Sequence, residues 1–489
     1  MAINSYAFAN CYKLKELNLS DNITKIGANA FCGCTSLQSI NIPKKMNLIK
    51  EYTFADCYSL KSITIPDNIK KIGKSVFQGC DNLQQVIISD GVTEINSGAF
   101  ANCTSLEKIK LSNNMKKISS YTFQNCTTLN SITIPDNIIE IEHDAFKNCS
   151  NLEEVKLPNN IKVIDGYTFS GCKSLKSITI PESVITIKND AFSFCGLEEI
   201  EIPNSVKKLE KNIFYHCFSL KSVKLPDGIT KIDDGTFNGC ESLSEIQFPE
   251  NITYIGSGVF EDCILLDNII LPHNLEDMGF HTFRNCNSLK SIKIPEKVTQ
   301  INMGTFADCY SLEEIKLPNN LKYINEFAFW NCENLKNIYF ENDMLKIDYR
   351  AFANCDSLDL KLKEKIFYQI AKNINKSTIQ SFFNQYGIKY DSELMQELMT
   401  ININFYDYAN DIDKDVFLDA ALDSINNIET KDDEIIVETD LCNISITKQD
   451  CSLYLLDNSS RNIIIEKDIF INKIYDAVKK YQEKEKEER

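Results

Sequence analysis

Apolar side chains return at fixed intervals along nearly three-quarters of this chain. One stretch shows the unit. Between Tyr52 and Pro66, Phe54 is followed by Cys57, Leu60, Ile63 and Ile65, with polar residues filling most of the gaps. The phenylalanine recurs from Phe8 to Phe352 at 16 positions spaced 23 residues apart, except for a 22-residue step from Phe192 to Phe214. The missing residue falls between Cys195 and Leu197, where only Gly196 remains. A cysteine follows every one of these phenylalanines by three, from Cys11 to Cys355. All 11 prolines stand in one slot, from Pro43 to Pro318. The unit reads A-F-x-x-C-x-x-L-x-x-I-x-I-P-x-x-I-x-x-I. Its alternating pair, as in Ile63-Thr64-Ile65, has the period of a strand with one buried face. Proline ends that strand because it has no N–H for a ladder. Too few residues remain for a full helix, so the rest of each unit is expected to be irregular or short 3₁₀ structure on a convex side. No coil of this size can bury its apolar face alone; stacking the coils does so.

A period near 23 lies in the leucine-rich-repeat range. Segments such as Leu60-Lys-Ser-Ile-Thr-Ile-Pro-Asp-Asn-Ile-Lys-Lys-Ile-Gly73 and Ala99-Phe-Ala-Asn-Cys103 resemble the BspA-like, or Treponema-pallidum-type, leucine-rich-repeat family over residues 1–359. That resemblance implies an α/β-type leucine-rich-repeat solenoid, with a parallel β-sheet on the concave face. It also implies a surface or secreted adhesin-like protein, since members of the family are typically cell-surface or secreted binding proteins.

After Cys355 the period stops. Residues 360–399 are expected to form a helical cap, beginning with the spacing of Ile366, Phe367, Ile370 and Ile374. Residues 400–489 are expected to form a small α+β domain. Its elements are an amphipathic helix over Asp413–Ile425, four strands opening at Glu434, Asn443, Ser452 and Asn462, and a closing helix over Lys467–Tyr481. The first coil carries no polar capping segment, so self-association through the N-terminal end is a further expectation.

Composition narrows the function classes. A net charge of −17 opposes nonspecific binding to nucleic acid or anionic membranes. No apolar run is long enough to span a bilayer, and no leader is apparent. Of 19 cysteines, 16 share one slot. They read as a ladder of buried free thiols rather than disulfides, although neighbouring coils would bring their Cα atoms close enough to pair. The sequons at Asn102, Asn125 and Asn148 lie inside the same crowded turn. Together these favour a reducing, cytoplasmic setting.

Candidate sites fall on two faces. On the concave strands, the outward slots carry Glu154, Lys156, Thr179, Glu201, Lys224, Lys293, Glu314, Lys316 and Tyr339. Lys156 is expected beside Glu154 and Lys316 beside Glu314, giving a polar surface for a protein or a glycan. On the convex side, Tyr323, Phe327 and Trp330, the single tryptophan, are expected to form an aromatic patch. The four histidines lack metal-ligand spacing. The thiols have no neighbouring base and there is no phosphate-binding glycine loop. Asp411-Ile-Asp-Lys-Asp415 lacks the glycine and the terminal glutamate of a calcium loop. The chain is therefore expected to have no cofactor, no metal and no enzymatic activity, and to act as an interaction scaffold. A third reading has the array deliver a small C-terminal effector.

Overall fold

The computed structural model describes residues 1–369, except Glu341, Asp343, Tyr349, Leu360, Lys361, Glu364, Phe367 and Tyr368, and five strand segments between Ile425 and Ile465. The chain winds as stacked coils that contribute to two separate ladders of parallel strands. The first ladder uses the alternating segment. Ser62–Ile65 pairs with Gln85–Ile88 in the register Ser62 to Gln85 and Ile63 to Val86, so the strand register is the sequence repeat itself. Ile63 and Ile65 point inward, while Ser62 and Thr64 face solvent.

The second ladder was not expected. Every coil adds a two-residue strand at the last aliphatic position of the unit, an isoleucine except at Leu209 and Met278, from Ala2–Ile3 to Lys346–Ile347. Lys71–Ile72, for example, lies between Leu48–Ile49 and Glu94–Ile95. Two residues are too few to show an alternating period, so the sequence marks only the buried isoleucine.

Between the ladders runs the Ala-Phe-x-x-Cys turn. Its N–H groups alternate in direction. Those of Tyr6, Phe8 and Asn10 donate to Ala28, Ala30 and Cys32 of the next coil, at 3.1, 2.8 and 2.7 Å. Those of Ala7, Ala9 and Cys11 turn back to the third residue before, on Asn4, Tyr6 and Phe8. In this first turn each of these six donors is paired, as a buried backbone requires. The alternation needs left-handed backbone two residues before and two after the phenylalanine. Tyr52 (φ 55°) and Asp56 (φ 58°) flank Phe54 in this way. Asparagine, aspartate and glycine fill most of these positions because they tolerate that conformation at least cost.

The core is one continuous cluster. The sixteen phenylalanine rings form an unbroken stack, from 5.1 Å between Phe8 and Phe31 to 4.9 Å between Phe329 and Phe352. Beside it runs the thiol column. Each Sγ from Cys34 to Cys355 donates to the carbonyl of the phenylalanine one coil back, as Cys57 does to Phe31 at 3.3 Å. The 17 cysteines from Cys11 to Cys355 are free thiols. Burial pushes Cys149 and Cys309 up to about 12.

The first ladder is broken between Ser39–Ile40 and Ser62–Ile65, and again at residues 176–180 and 267–271, so Thr179 stands outside a strand. The short coil adjoins the break at Thr179. A Cβ at Gly196 would lie 2.0 Å from the Lys173 carbonyl oxygen, so only glycine can take the shorter path.

Past the last coil, Leu362, Lys363, Lys365, Ile366 and Gln369 are helical. Ile366 and Gln369 are buried, and the Lys365 Nζ donates to the Phe340 carbonyl at 2.6 Å. The expected cap from 370 to 399 lies outside the described residues, as do residues 413–424 and 467–481 of the two expected helices. Ile425 belongs to a strand, Ile425–Lys431, and not to the end of a helix. That strand leads a five-stranded antiparallel meander in sequence order, whose other members are the four expected segments.

Candidate functional site

Two faces present ordered side chains. On the first ladder, Glu154, Lys156, Glu201, Lys224, Lys293, Lys316 and Tyr339 are exposed at strand positions, and Glu314 is half-buried. The register places Thr133 beside Lys156, Glu201 beside Lys224, and Lys293, Lys316 and Tyr339 in one row. Lys316 pairs with Glu314 at 3.5 Å along its own strand and stands 5.8 Å from the Tyr339 ring centre. Lys156 makes no ion pair with Glu154 among the described residues. The stronger contact runs across coils, where Lys224 Nζ meets Glu201 Oε1 at 2.5 Å. That carboxylate, which accepts its hydrogen bond, holds the Lys224 ammonium above its usual range. The isoleucines of this row, Ile87 and Ile270, are exposed as well, Ile270 by 81%.

The turn face is more chemically varied. The rings of Phe327 and Trp330 meet edge to face with centroids 6.1 Å apart, and the Arg350 guanidinium lies 5.1 Å from the Phe327 centroid. Phe327 holds a left-handed φ of 55°, a costly conformation for a bulky side chain. Tyr323 belongs to the second ladder and stacks under Lys346 at 5.6 Å. Of the three aromatic residues expected in one patch, the structure therefore joins two.

Trp330 also borders an open cleft of about 480 Å³, facing Tyr310, Arg284, Glu261 and Asp262. Arg284 forms the hub. Its Nε donates to Asp308 Oδ2 at 3.2 Å and its Nη1 lies 3.5 Å from Glu261 Oε1. Asp308 Oδ1 accepts from Asn331 Nδ2 at 2.8 Å and from the Tyr310 hydroxyl at 3.4 Å. Asp262 Oδ1 accepts from Asn285 Nδ2 at 2.6 Å. Burial, then the neighbouring Asp262, raises the Glu261 carboxyl above its ordinary value; burial and Asp308 raise the Tyr310 phenol.

Sequence reasoning singled out Trp330 but missed these neighbours. A signal for them exists. The slots one, two and four residues after each phenylalanine, written coil under coil, put Arg284, Asp308, Tyr310 and Trp330 in adjacent rows. A second aromatic group was also missed, at the short coil. Phe194 stacks on His216 at 5.2 Å, and Phe218 lies 5.2 Å from the same imidazole.

The other imidazoles serve local contacts. His143 Nδ1 lies 3.0 Å from Asp144 Oδ2, and His273 Nδ1 2.6 Å from Glu250 Oε2. Among the described residues no three histidine, cysteine or acidic side chains are grouped to hold a metal ion, and no helix is long and apolar enough to cross a membrane. At the sequons, Asn125 Nδ2 donates to Asn102 Oδ1 at 2.7 Å, and Asn148 Nδ2 to Asn125 Oδ1 at 2.9 Å. A glycan on either Nδ2 would remove a donor from this ladder.

Known proteins share the repeat. The sequence model of the BspA type leucine rich repeat region matches six times, over residues 1–129, 93–221, 162–287, 207–309, 253–381 and 282–435. A leucine-rich repeat protein from Bacteroides ovatus is 31% identical with a TM-score of 0.52, over 71% of this chain and 87% of its own. A leucine rich cell surface protein from Faecalibacterium prausnitzii is 24% identical with a TM-score of 0.33, over 73% of this chain and 81% of its own. A T. pallidum leucine-rich repeat protein is 22% identical with a TM-score of 0.20, over 52% and 83%. No curated protein matches the sequence.

Proposed function

Because the chain belongs to the BspA type leucine rich repeat family, we propose that it is a non-enzymatic scaffold that holds a protein partner along the first strand ladder. Leucine-rich-repeat arrays typically serve protein interaction. The observation that carries this reading is two rows of exposed, registered polar side chains, Glu201 with Lys224, and Lys293 with Lys316 and Tyr339, standing on one continuous core. Strands of three residues give a strip only about 10 Å wide. A stable interface takes about 800 Å² from each partner. The partner must therefore lie along many coils, which suits an extended chain or a long ridge. A net charge of −17 favours a basic partner by long-range steering.

Affinity capture tests this with the full chain and a variant carrying Lys224→Glu, Lys293→Glu and Lys316→Glu. A protein retained by the parent and lost by the variant supports the reading; equal capture of every bound protein by both contradicts it. The free-thiol column and the bonded sequon amides support a reducing, cytoplasmic setting. Mass analysis of the protein isolated under thiol-blocking conditions checks this, since blocked thiols at nearly all of the 19 cysteines are expected.

A further inference from the structure

The cleft beside Trp330 is built by a large–small–large order in one slot. Arg284, Ala307 and Trp330 each follow their phenylalanine directly, in three successive coils. Ala307 carries only a methyl group and is buried, while Arg284 and Trp330, in the coils on either side of it, line the cleft. The next slot supplies the polar lining, Asp262, Asn285, Asp308 and Asn331, on left-handed backbone. Hydrogen bonds between coils hold these groups in place before any ligand arrives, and a preformed site avoids the entropy of ordering them. At about 480 Å³ the space suits a small organic ligand.

The chemistry of the lining selects among ligands. An anion finds no free positive charge, because Arg284 is already shared between Asp308 and Glu261. A cation meets that same guanidinium across the cleft, and Asp308 is spent on Arg284, Asn331 and Tyr310. What remains is a fixed set of planar amide, carboxylate and guanidinium edges beside an indole face. Among the described residues, Asp262 Oδ2, Asn285 Oδ1 and the Trp330 indole N–H have no partner, offering two acceptors and one donor. A neutral sugar ring answers both halves. Its hydroxyls donate and accept on adjacent carbons, and one face of the ring presents only C–H groups to an aromatic surface.

We propose that this cleft binds a short neutral oligosaccharide, with one pyranose ring stacked on Trp330 and its hydroxyls bonded to Asp262, Asn285 and Arg284. With no free positive charge in the cleft to pair it, the carboxylate of a sialylated sugar is excluded.

Trp330 is the single tryptophan, which makes its fluorescence a direct reporter. The full chain is titrated with N,N′,N″-triacetylchitotriose, maltotriose and lactose, with 3′-sialyllactose and Nα-acetyl-lysine amide as the acidic and cationic arms. At least one neutral sugar should shift the emission saturably below about 10 mM, and the acidic and cationic probes should not. Ala307→Gln fills the gap with a residue this slot already carries at Gln78 and Gln124. It should weaken that sugar at least about 10-fold while leaving circular dichroism unchanged. Trp330→Phe, followed by saturation-transfer NMR, should weaken it less than Trp330→Ala does. The proposal fails if no neutral sugar in the set binds, if the lysine derivative or the sialylated sugar binds instead, or if Ala307→Gln binds as well as the parent.

Discussion

Removing one ring from the middle of the phenylalanine stack tests the shared core directly. Phe169 is fully buried, and its ring lies 5.5 Å from Phe146 and 5.7 Å from Phe192. Phe169→Ala deletes a buried aromatic, which costs about 3–5 kcal/mol through lost transfer energy and the cavity left behind. The two ring contacts, each worth about 0.5–1.5 kcal/mol beyond area burial, place the loss at the upper end of that range. In a linear array, stability is a sum of coil terms and nearest-neighbour interfaces. A defect of about 5 kcal/mol in the middle therefore uncouples the coils on either side instead of weakening all of them equally. Two probes separate these outcomes in urea. Circular dichroism sees the whole array, whereas Trp330 fluorescence sees coils seven repeats away from Phe169. The dichroism curve of the variant should show an added transition at low urea, with the fluorescence midpoint close to that of the parent. Parent-like curves from both probes would refute the shared-core reasoning. Phe352→Ala provides the comparison. Its ring is half-buried with a single stacked neighbour among the described residues, Phe329, and should cost clearly less.

Gly196→Ala should destabilise the chain by at least about 2 kcal/mol in urea denaturation, because its Cβ would overlap the Lys173 carbonyl; an unchanged midpoint would mean that the short turn relaxes freely. Alkaline titration should unfold the array cooperatively. The Cys149 and Cys309 thiols titrate at about 12 when folded against 9.0 in an open chain, so the folded state holds protons that the unfolded state has released. Their stabilisation is complete below pH 9 and declines as pH rises towards 12, by about 1.4 kcal/mol per thiol per pH unit. Thiolate absorbance from the buried column should rise together with loss of dichroism; a rise near pH 9 from more than the few cysteines outside that column, with the fold intact, would contradict the burial. Lys224→Ala breaks a contact whose partners are 68% and 67% exposed, and should cost less than about 1 kcal/mol, vanishing in high salt. A salt-insensitive loss above about 2 kcal/mol in the same urea assay would show that the pair does more than decorate the surface.

The repeat made most of the solenoid legible before any coordinates. A phenylalanine, a cysteine and a proline locked to one period dictate stacking, because each coil's apolar face has nowhere else to go. The inward and outward positions of the first ladder follow from alternation, so Lys224 and Lys316 could be placed on a face from their numbers alone. The second ladder could not be read, because Lys71–Ile72 and its equivalents are too short to carry a period. Nor could the turn, whose left-handed residues are as varied as Tyr52, Asp144 and Phe327. Contacts between coils were the least visible. Lys156 stands without an ion pair to Glu154, Lys224 reaches across to Glu201, and Tyr323 leaves Phe327 and Trp330 for Lys346. The sequence by itself determined the period, the inward residues and the parallel direction of the strands, because burial repeats with the chain. Only the tertiary structure decided where the face breaks at Thr179 and where Arg284, Asp308 and Trp330 enclose a cleft. The cleft depends on which side chains in neighbouring coils, 23 residues apart, differ in size, and the break adjoins the 22-residue coil.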